Sequence, residues 1–185
     1  MLPSDVTAYC LYICRSQCRD IRQLILTAMY DAEHKINNMK HGCLCRWLPS
    51  GEVESKTNYK NGEYHGKYKG YSSDGTLRRQ VPWVDGKRHG TIKTWHENGS
   101  LQSEDDYVDD VNHGMHRYWT KDGVLIFKGT FKDGQHDGRC TNWSSTGTLQ
   151  SITYYKDGMS YGWWKQHHPD IRLEFEEEWL AYIGR

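Results

Sequence analysis

Residues 59–82, YKNGEYHGKYKGYSSDGTLRRQVP, set the architecture, because Trp83–Gly90, WVDGKRHG, restarts the pattern of Tyr59–Gly66 with an equivalent turn and the same His-Gly pair. In both directions the chain keeps this step: Gly42, Gly66, Gly90, Gly114, Gly138 and Gly162 recur every 24 residues with no insertion or deletion. Four of these glycines follow a histidine, His41, His65, His89 and His113. A second column reads Gly51, Gly75, Gly99, Gly123 and Gly147, and two residues after it come Val53, Leu77, Leu101, Leu125, Leu149 and, one period on, Leu173. A third is aromatic, Tyr59, Trp83, Tyr107, Phe131, Tyr155 and Trp179, and so is a fourth, Trp47, Tyr71, Trp95, Trp119 and Trp143. Columns held in register over this length identify a repeat array.

Each unit reads as two strands and two turns. Asn-Gly and Asp-Gly pairs supply the positive φ that tight hairpin turns require. Asn61-Gly62, Asp85-Gly86, Asp133-Gly134 and Asp157-Gly158 mark one turn, while Ser50-Gly51, Asp74-Gly75, Asn98-Gly99, Asp122-Gly123 and Thr146-Gly147 mark the other. Strand alternation between Thr76 and Val84 predicts one face with Leu77, Arg79, Val81 and Trp83 and another with Arg78, Gln80 and Val84. A three-residue loop, Ser73–Gly75, sets Tyr71 opposite Leu77, and the periodic apolar columns are then expected on one face. The fold expected is mainly β, an elongated single antiparallel sheet of stacked hairpins. It advances roughly 10 Å per repeat, so six units span about 50–60 Å. Its stability is then a sum of neighbour contacts, led by the leucine and aromatic ladders.

Composition narrows the function classes. The chain has 185 residues, with 36% hydrophobic content and a mean hydropathy of −0.89, too little aliphatic material for one thick core. Eight Trp, thirteen Tyr and eighteen Gly set it apart from disordered sequence. Lys plus Arg and Asp plus Glu each number 24, a formal net charge of zero, which gives a polyanion no whole-chain attraction. Nucleic acid is therefore not an expected partner, and a membrane surface is disfavoured. The chain start lacks the basic flank and apolar run of a signal peptide, so an intracellular, cytoplasmic location with reduced thiols is expected. Cys10, Cys14 and Cys18 fall at helical spacing, Cys43 and Cys45 alternate, and Cys140 stands alone, which is not a secreted disulfide framework. A zinc site from Cys10, Cys14, Cys43 and Cys45 lacks the usual paired spacing, and these thiols read as apolar filler.

The unit Tyr59-x-Asn61-Gly62-x-x-His65-Gly66-x-x-x-x-Tyr71-x-x-x-Gly75-x-Leu77 resembles the MORN repeat, in its variant form found in antitoxin-like bacterial proteins and large DNA viruses. The resemblance covers about residues 36–183. It implies a non-catalytic binding and scaffolding array that mediates protein–protein interaction, with an antitoxin-like inhibitor and an anionic phospholipid-surface module as the alternatives. Asn37-Asn38, Asp109-Asp110 and Asp170-Ile171 depart from the pattern, and Asp109-Asp110 is expected to break its turn.

Residues 1–35 lack the repeat and predict two short helices, with apolar spacing at Val6, Tyr9, Cys10, Ile13 and Cys14 and again from Ile21 to Ala32. A helical cap over the first sheet edge is the plain reading. Leu2-Pro3-Ser4-Asp5-Val6 is also similar to the opening of an F-box. Such an opening ahead of variant MORN repeats resembles a pattern of amoebal giant viruses, which implies a viral structural or host-interaction component, intracellular or in the virion. Residues 36–185 form the array, about six units with the last a degenerate cap. Alternation at Leu173, Phe175, Glu177 and Trp179 favours a closing strand, while Glu176-Glu177-Glu178 also fits a helix start.

Candidate chemistry is sparse. Equivalent histidines one repeat apart stand about 10 Å from each other, too far to share a metal. Each is expected to bond within its own turn. Cys140 with His136 lacks a third, orienting group, and Asp105-Asp106 and Asp109-Asp110 read as solvated charges. No catalytic residue, metal site or cofactor is expected.

Overall fold

The computed structural model describes residues 35–36, 39–161 and 176–183. The helical cap, the F-box-like opening, Asn37-Asn38 and Gly162 lie outside these residues. The chain divides into two compact units, one ending at Arg88 and one beginning at His89.

The first unit contains β1 (Lys35–Ile36), β2 (Met39–Lys40), β3 (Gly42–Trp47), β4 (Val53–Lys60), β5 (Glu63–Tyr64), β6 (Gly66–Tyr71), β7 (Leu77–Val84) and β8 (Lys87–Arg88). β1 and β2 pair with each other, and the long strands run in the order β7-β6-β4-β3, with β5 on β4 and β8 on β7. The second unit contains β9 (Gly90–Trp95), β10 (Leu101–Val108), β11 (Val111–Trp119), β12 (Leu125–Lys132), β13 (Gln135–His136), β14 (Gly138–Trp143), β15 (Leu149–Lys156), β16 (Met159–Ser160) and α1 (Glu176–Ile183). Its strands run β16-β15-β14-β12-β11-β10-β9, with β13 on β12. In each unit neighbours pair antiparallel in an open sheet, and the chain is mainly β.

The two turn classes behave differently. Two-residue turns join Lys60 to Glu63 and Val84 to Lys87, with Asn61 at φ 52°, Gly62 at 89°, Asp85 at 45° and Gly86 at 80°. Two consecutive left-handed residues match the twist of the strands they join. Asp109 and Asp110 do not break the series as expected. Val108 still pairs with Val111, and Asp110 itself takes φ 71°.

The other turns are three-residue loops, as the register argument expected. Ser72 N–H donates to the Thr76 carbonyl at 2.9 Å, Gly75 closes the loop at φ 83°, and Tyr71 pairs with Leu77. Each loop is followed by a β-bulge, because Tyr71 opposes Leu77 but Gly70 opposes Arg79, leaving Arg78 extra. The same step recurs at Glu54, Gln102, Ile126 and Gln150.

That bulge overturns the single apolar face. Trp83 pairs with Gly66 and Val81 with Tyr68, so both share the face of Tyr68 and Gly70. Tyr71 points the other way, with Lys67 and Lys69, and carries Leu77 with it. In the first unit Leu77 therefore lies opposite Tyr59 and Trp83; in the second, Leu101, Leu125 and Leu149, with Trp95, Trp119 and Trp143, lie opposite Tyr107, Phe131 and Tyr155. An extra residue in one strand resets its alternation, which a pattern read as uninterrupted cannot show.

Residues 176–183 form a helix, not the favoured strand. Three glutamates open it, the charge that a helix N-terminus stabilises. Burial, together with the Glu176 carboxylate near its hydroxyl, pushes the buried Tyr161 up to about 12.

Candidate functional site

Rings stack along the first face. Tyr59, Tyr64 and Trp83 follow each other at 5.0 and 4.8 Å between centroids. In the second unit the series is Tyr107, His116, Phe131, His136 and Tyr155, with the closest centroids 4.1 Å apart at Phe131 and His136. The expected aromatic column is thus every second rung. Tyr64 and His136, both two residues before a repeat glycine, supply rungs between, and Lys40 at the equivalent position places its Nζ 5.2 Å from the Tyr59 ring centroid. The spacing of Lys40, Tyr64 and His136 was the available signal.

Beneath the rings the core is partly polar, which accounts for the low hydropathy. Val81, Ile92 and Cys140 are buried, but so are Ser55, Thr57, Ser103 and His116. Hydrogen bonds run from Thr94 Oγ1 to Ser103 Oγ at 2.8 Å and from Ser103 Oγ to Asp105 Oδ2 at 2.9 Å, and Asp105 Oδ1 stands 2.9 Å from His116 Nδ1. Burial raises the Asp105 carboxyl, but bonds from His116, Ser103 and Tyr118 overcome it and hold the group below its ordinary range. Burial and the Asp105 charge push Tyr118 up to about 12. Asp105 is therefore an internal ion-pair partner, contrary to its reading as a solvated charge. His116 Nε2 faces the Asp106 carbonyl at 3.2 Å, and the residue is 1% exposed. With both nitrogens engaged and solvent excluded, this Asp–His pair is a structural strut rather than an acid–base group.

Cys140 Sγ lies 3.2 Å from His136 Nδ1. Burial raises the thiol, and burial with the nearby His116 charge lowers His136. Both shifts favour the neutral pair, the reverse of an activated thiolate. Cys140 occupies the strand position held by Tyr68 and Ile92 in earlier repeats. Among the described residues no three His, Cys, Asp or Glu side chains converge as metal ligands.

The His-Gly histidines bond forward, not within their own turns as expected. Asn61 N–H donates to His41 Nδ1 and Asp85 N–H to His65 Nδ1, each at 3.4 Å. His65, His89 and His113 stand 3.2, 3.4 and 3.6 Å from the carboxylates of Asp85, Asp109 and Asp133. In the next period Asp137 replaces the histidine and accepts from Asp157 N–H at 3.4 Å and Lys156 Nζ at 2.9 Å. Each clamp ties one turn to the next, 20 residues along.

The second face is where the repeats differ. In the first unit its central row is Cys45, Lys56, Lys69 and Gln80. In the second unit it is Lys93, Glu104, Arg117, Lys128, Thr141 and Ile152. In each unit the apolar pairs that close the three-residue loops lie along one side of the row. Glu104 takes Lys93 at 2.6 Å and Arg117 at 3.1 Å. This face sets a line of recurring apolar positions beside a row whose charge changes from strand to strand.

A family model described as MORN repeat variant matches residues 40–61, 64–85 and 88–109. Each match starts one residue before the clamp histidine and ends on the turn residue it holds. Three consecutive repeats are thereby assigned to that repeat type. The clamp at His113–Asp133 and its Asp137–Asp157 substitute continue the same step beyond the matched segments. No curated protein matches the chain.

Proposed function

We propose that this chain is an intracellular, non-catalytic scaffold whose variable sheet face binds a protein partner. The observation that carries the reading is the separation of roles between faces. The ring ladder, the buried Asp105–His116 pair and the forward clamps hold the frame on one side and at the turns. The row Lys93–Glu104–Arg117–Lys128 varies on the other side at constant register, the division of labour that lets repeat proteins specialise one surface. MORN repeats are generally protein- or membrane-interaction repeats, which supports a binding role. Residues 1–35 serve as cap or docking element, and a viral host-interaction role belongs to the same proposal through the F-box-like opening.

The test is affinity purification from the native source with the full chain and with residues 36–185, the latter first shown to be folded by circular dichroism. Partners retained by both forms assign binding to the repeat face. Partners lost with residues 1–35 assign docking to that segment. A full chain that captures nothing, yet sediments with phosphatidylserine vesicles at low salt, would replace the protein-scaffold reading with a lipid-surface one.

A further inference from the structure

On the variable face of the second unit, β11, β12 and β14 enclose a half-open cleft of about 430 Å³. Its apolar lining comes from Met115, Leu125 and Trp143, positions of the flipped leucine and tryptophan columns and their neighbour. Lys128 and Arg139 also line it, and both are exposed. Lys128 pairs with Thr141, two residues from Arg139 on the same strand face, so the two backbone positions are diagonal neighbours about 7–8 Å apart.

The charge balance around this cleft is uneven. Glu104 is taken up by Lys93 and Arg117, and Asp106 is engaged by Thr91 Oγ1 at 2.6 Å and Met115 N–H at 3.0 Å. Asp137 is held by Lys156. Among the described residues no carboxylate pairs with Lys128 or Arg139. Two cations beside a recessed apolar surface form a site for an anion that also carries an apolar group. A flat lipid surface fits it less well, because the apolar residues are recessed into the cleft.

We infer that this cleft docks an acidic peptide segment of a protein partner, an apolar side chain of the peptide seating against Leu125 and Trp143 and its carboxylates meeting Lys128 and Arg139. The inference rests on the scaffold reading and names the partner's chemistry. Neither cation belongs to the ring ladder or the Asp105–His116 pair, so reversing both charges leaves the frame intact.

The test is fluorescence anisotropy of the full chain with the fluorescein-labelled peptide Glu-Glu-Phe-Glu-Glu. Two comparison peptides, Lys-Lys-Phe-Lys-Lys and Glu-Glu-Ser-Glu-Glu, are expected to bind at least about tenfold more weakly. The double variant Lys128→Glu/Arg139→Glu, with an unchanged urea midpoint, is expected to lose about tenfold for the acidic peptide and to gain affinity for the lysine peptide. Absence of saturable binding by Glu-Glu-Phe-Glu-Glu overturns the inference, as does equal binding by the double variant. Vesicle sedimentation abolished by the double variant, without peptide binding, also overturns it and makes the occupant a lipid surface. If native partners are captured equally by wild type and double variant, the scaffold reading stands and the cleft assignment falls. If the peptide binds as expected but no native partner is captured, the cleft stands and the scaffold reading falls.

Discussion

His116 Nδ1 stands 2.9 Å from Asp105 Oδ1 while its other ring nitrogen faces the Asp106 carbonyl. Both neighbours are acceptors, so the buried ring is held between two oxygens. Removing the carboxylate leaves a buried ring nitrogen without its partner. Asp105→Ala is expected to cost about 1–3 kcal/mol, and the double variant Asp105→Leu/His116→Phe to recover most of it. Urea unfolding reads both, and a double variant as unstable as the single one would show that packing, not pairing, sets the cost.

The same carboxylate makes stability fall in acid. Its folded pKa lies below the ordinary value, so its contribution is complete above the unfolded carboxylate value of about 4 and drains as pH drops through the lower folded one. The urea midpoint of the wild type should decline more steeply below pH 4 than that of Asp105→Asn. Parallel declines would place the acid sensitivity elsewhere.

Asp110 holds φ 71° where the other two-residue turns place glycine. An L residue is strained there, although aspartate tolerates it better than most. Asp110→Gly is expected to stabilise the chain by about 0.5–1 kcal/mol, measured as a rise in the thermal midpoint.

Gly138 is the opposite case. It sits at φ 99°, and an added Cβ would stand 2.6 Å from Thr130 Oγ1, a hydroxyl that donates to the Asp137 carbonyl. Gly138→Ala is expected to lose about 1–3 kcal/mol through backbone strain and displacement of that bond. Thermal unfolding that leaves the midpoint unchanged would refute this.

The surface clamps should matter far less than the buried pair. His113 and Asp133 are both substantially exposed at 3.6 Å, and His113→Ala is expected to cost no more than about 1 kcal/mol. Urea unfolding beside Asp105→Ala provides the comparison.

Sequence periodicity exposed the hairpins, the turn positions and the Tyr71–Leu77 register, because glycine and Asx residues at fixed offsets dictate local φ. It did not expose the faces. Arg78, Gln102 and Ile126 look like ordinary strand residues, yet each is the extra residue of a bulge. Nor did it expose Asp105–His116, since the column that holds Tyr68, Ile92 and Cys140 shows His116 as mere variation, and the partner lies on another strand. At the C-terminal end Glu176, Glu177 and Glu178 fall within the residues that alternate as a strand, and alternation alone does not separate that reading from the helix the structure forms.

The bulge after each three-residue loop has an evolutionary consequence. By placing the leucine and tryptophan columns behind the ring ladder, it makes the two sides of a hairpin separately inheritable. Substitutions at Lys93, Arg117 or Lys128 change the chemistry of one side without touching Tyr107, Phe131 or Tyr155. A lineage can rewrite one side while the other, with its buried ion pair, keeps the chain foldable.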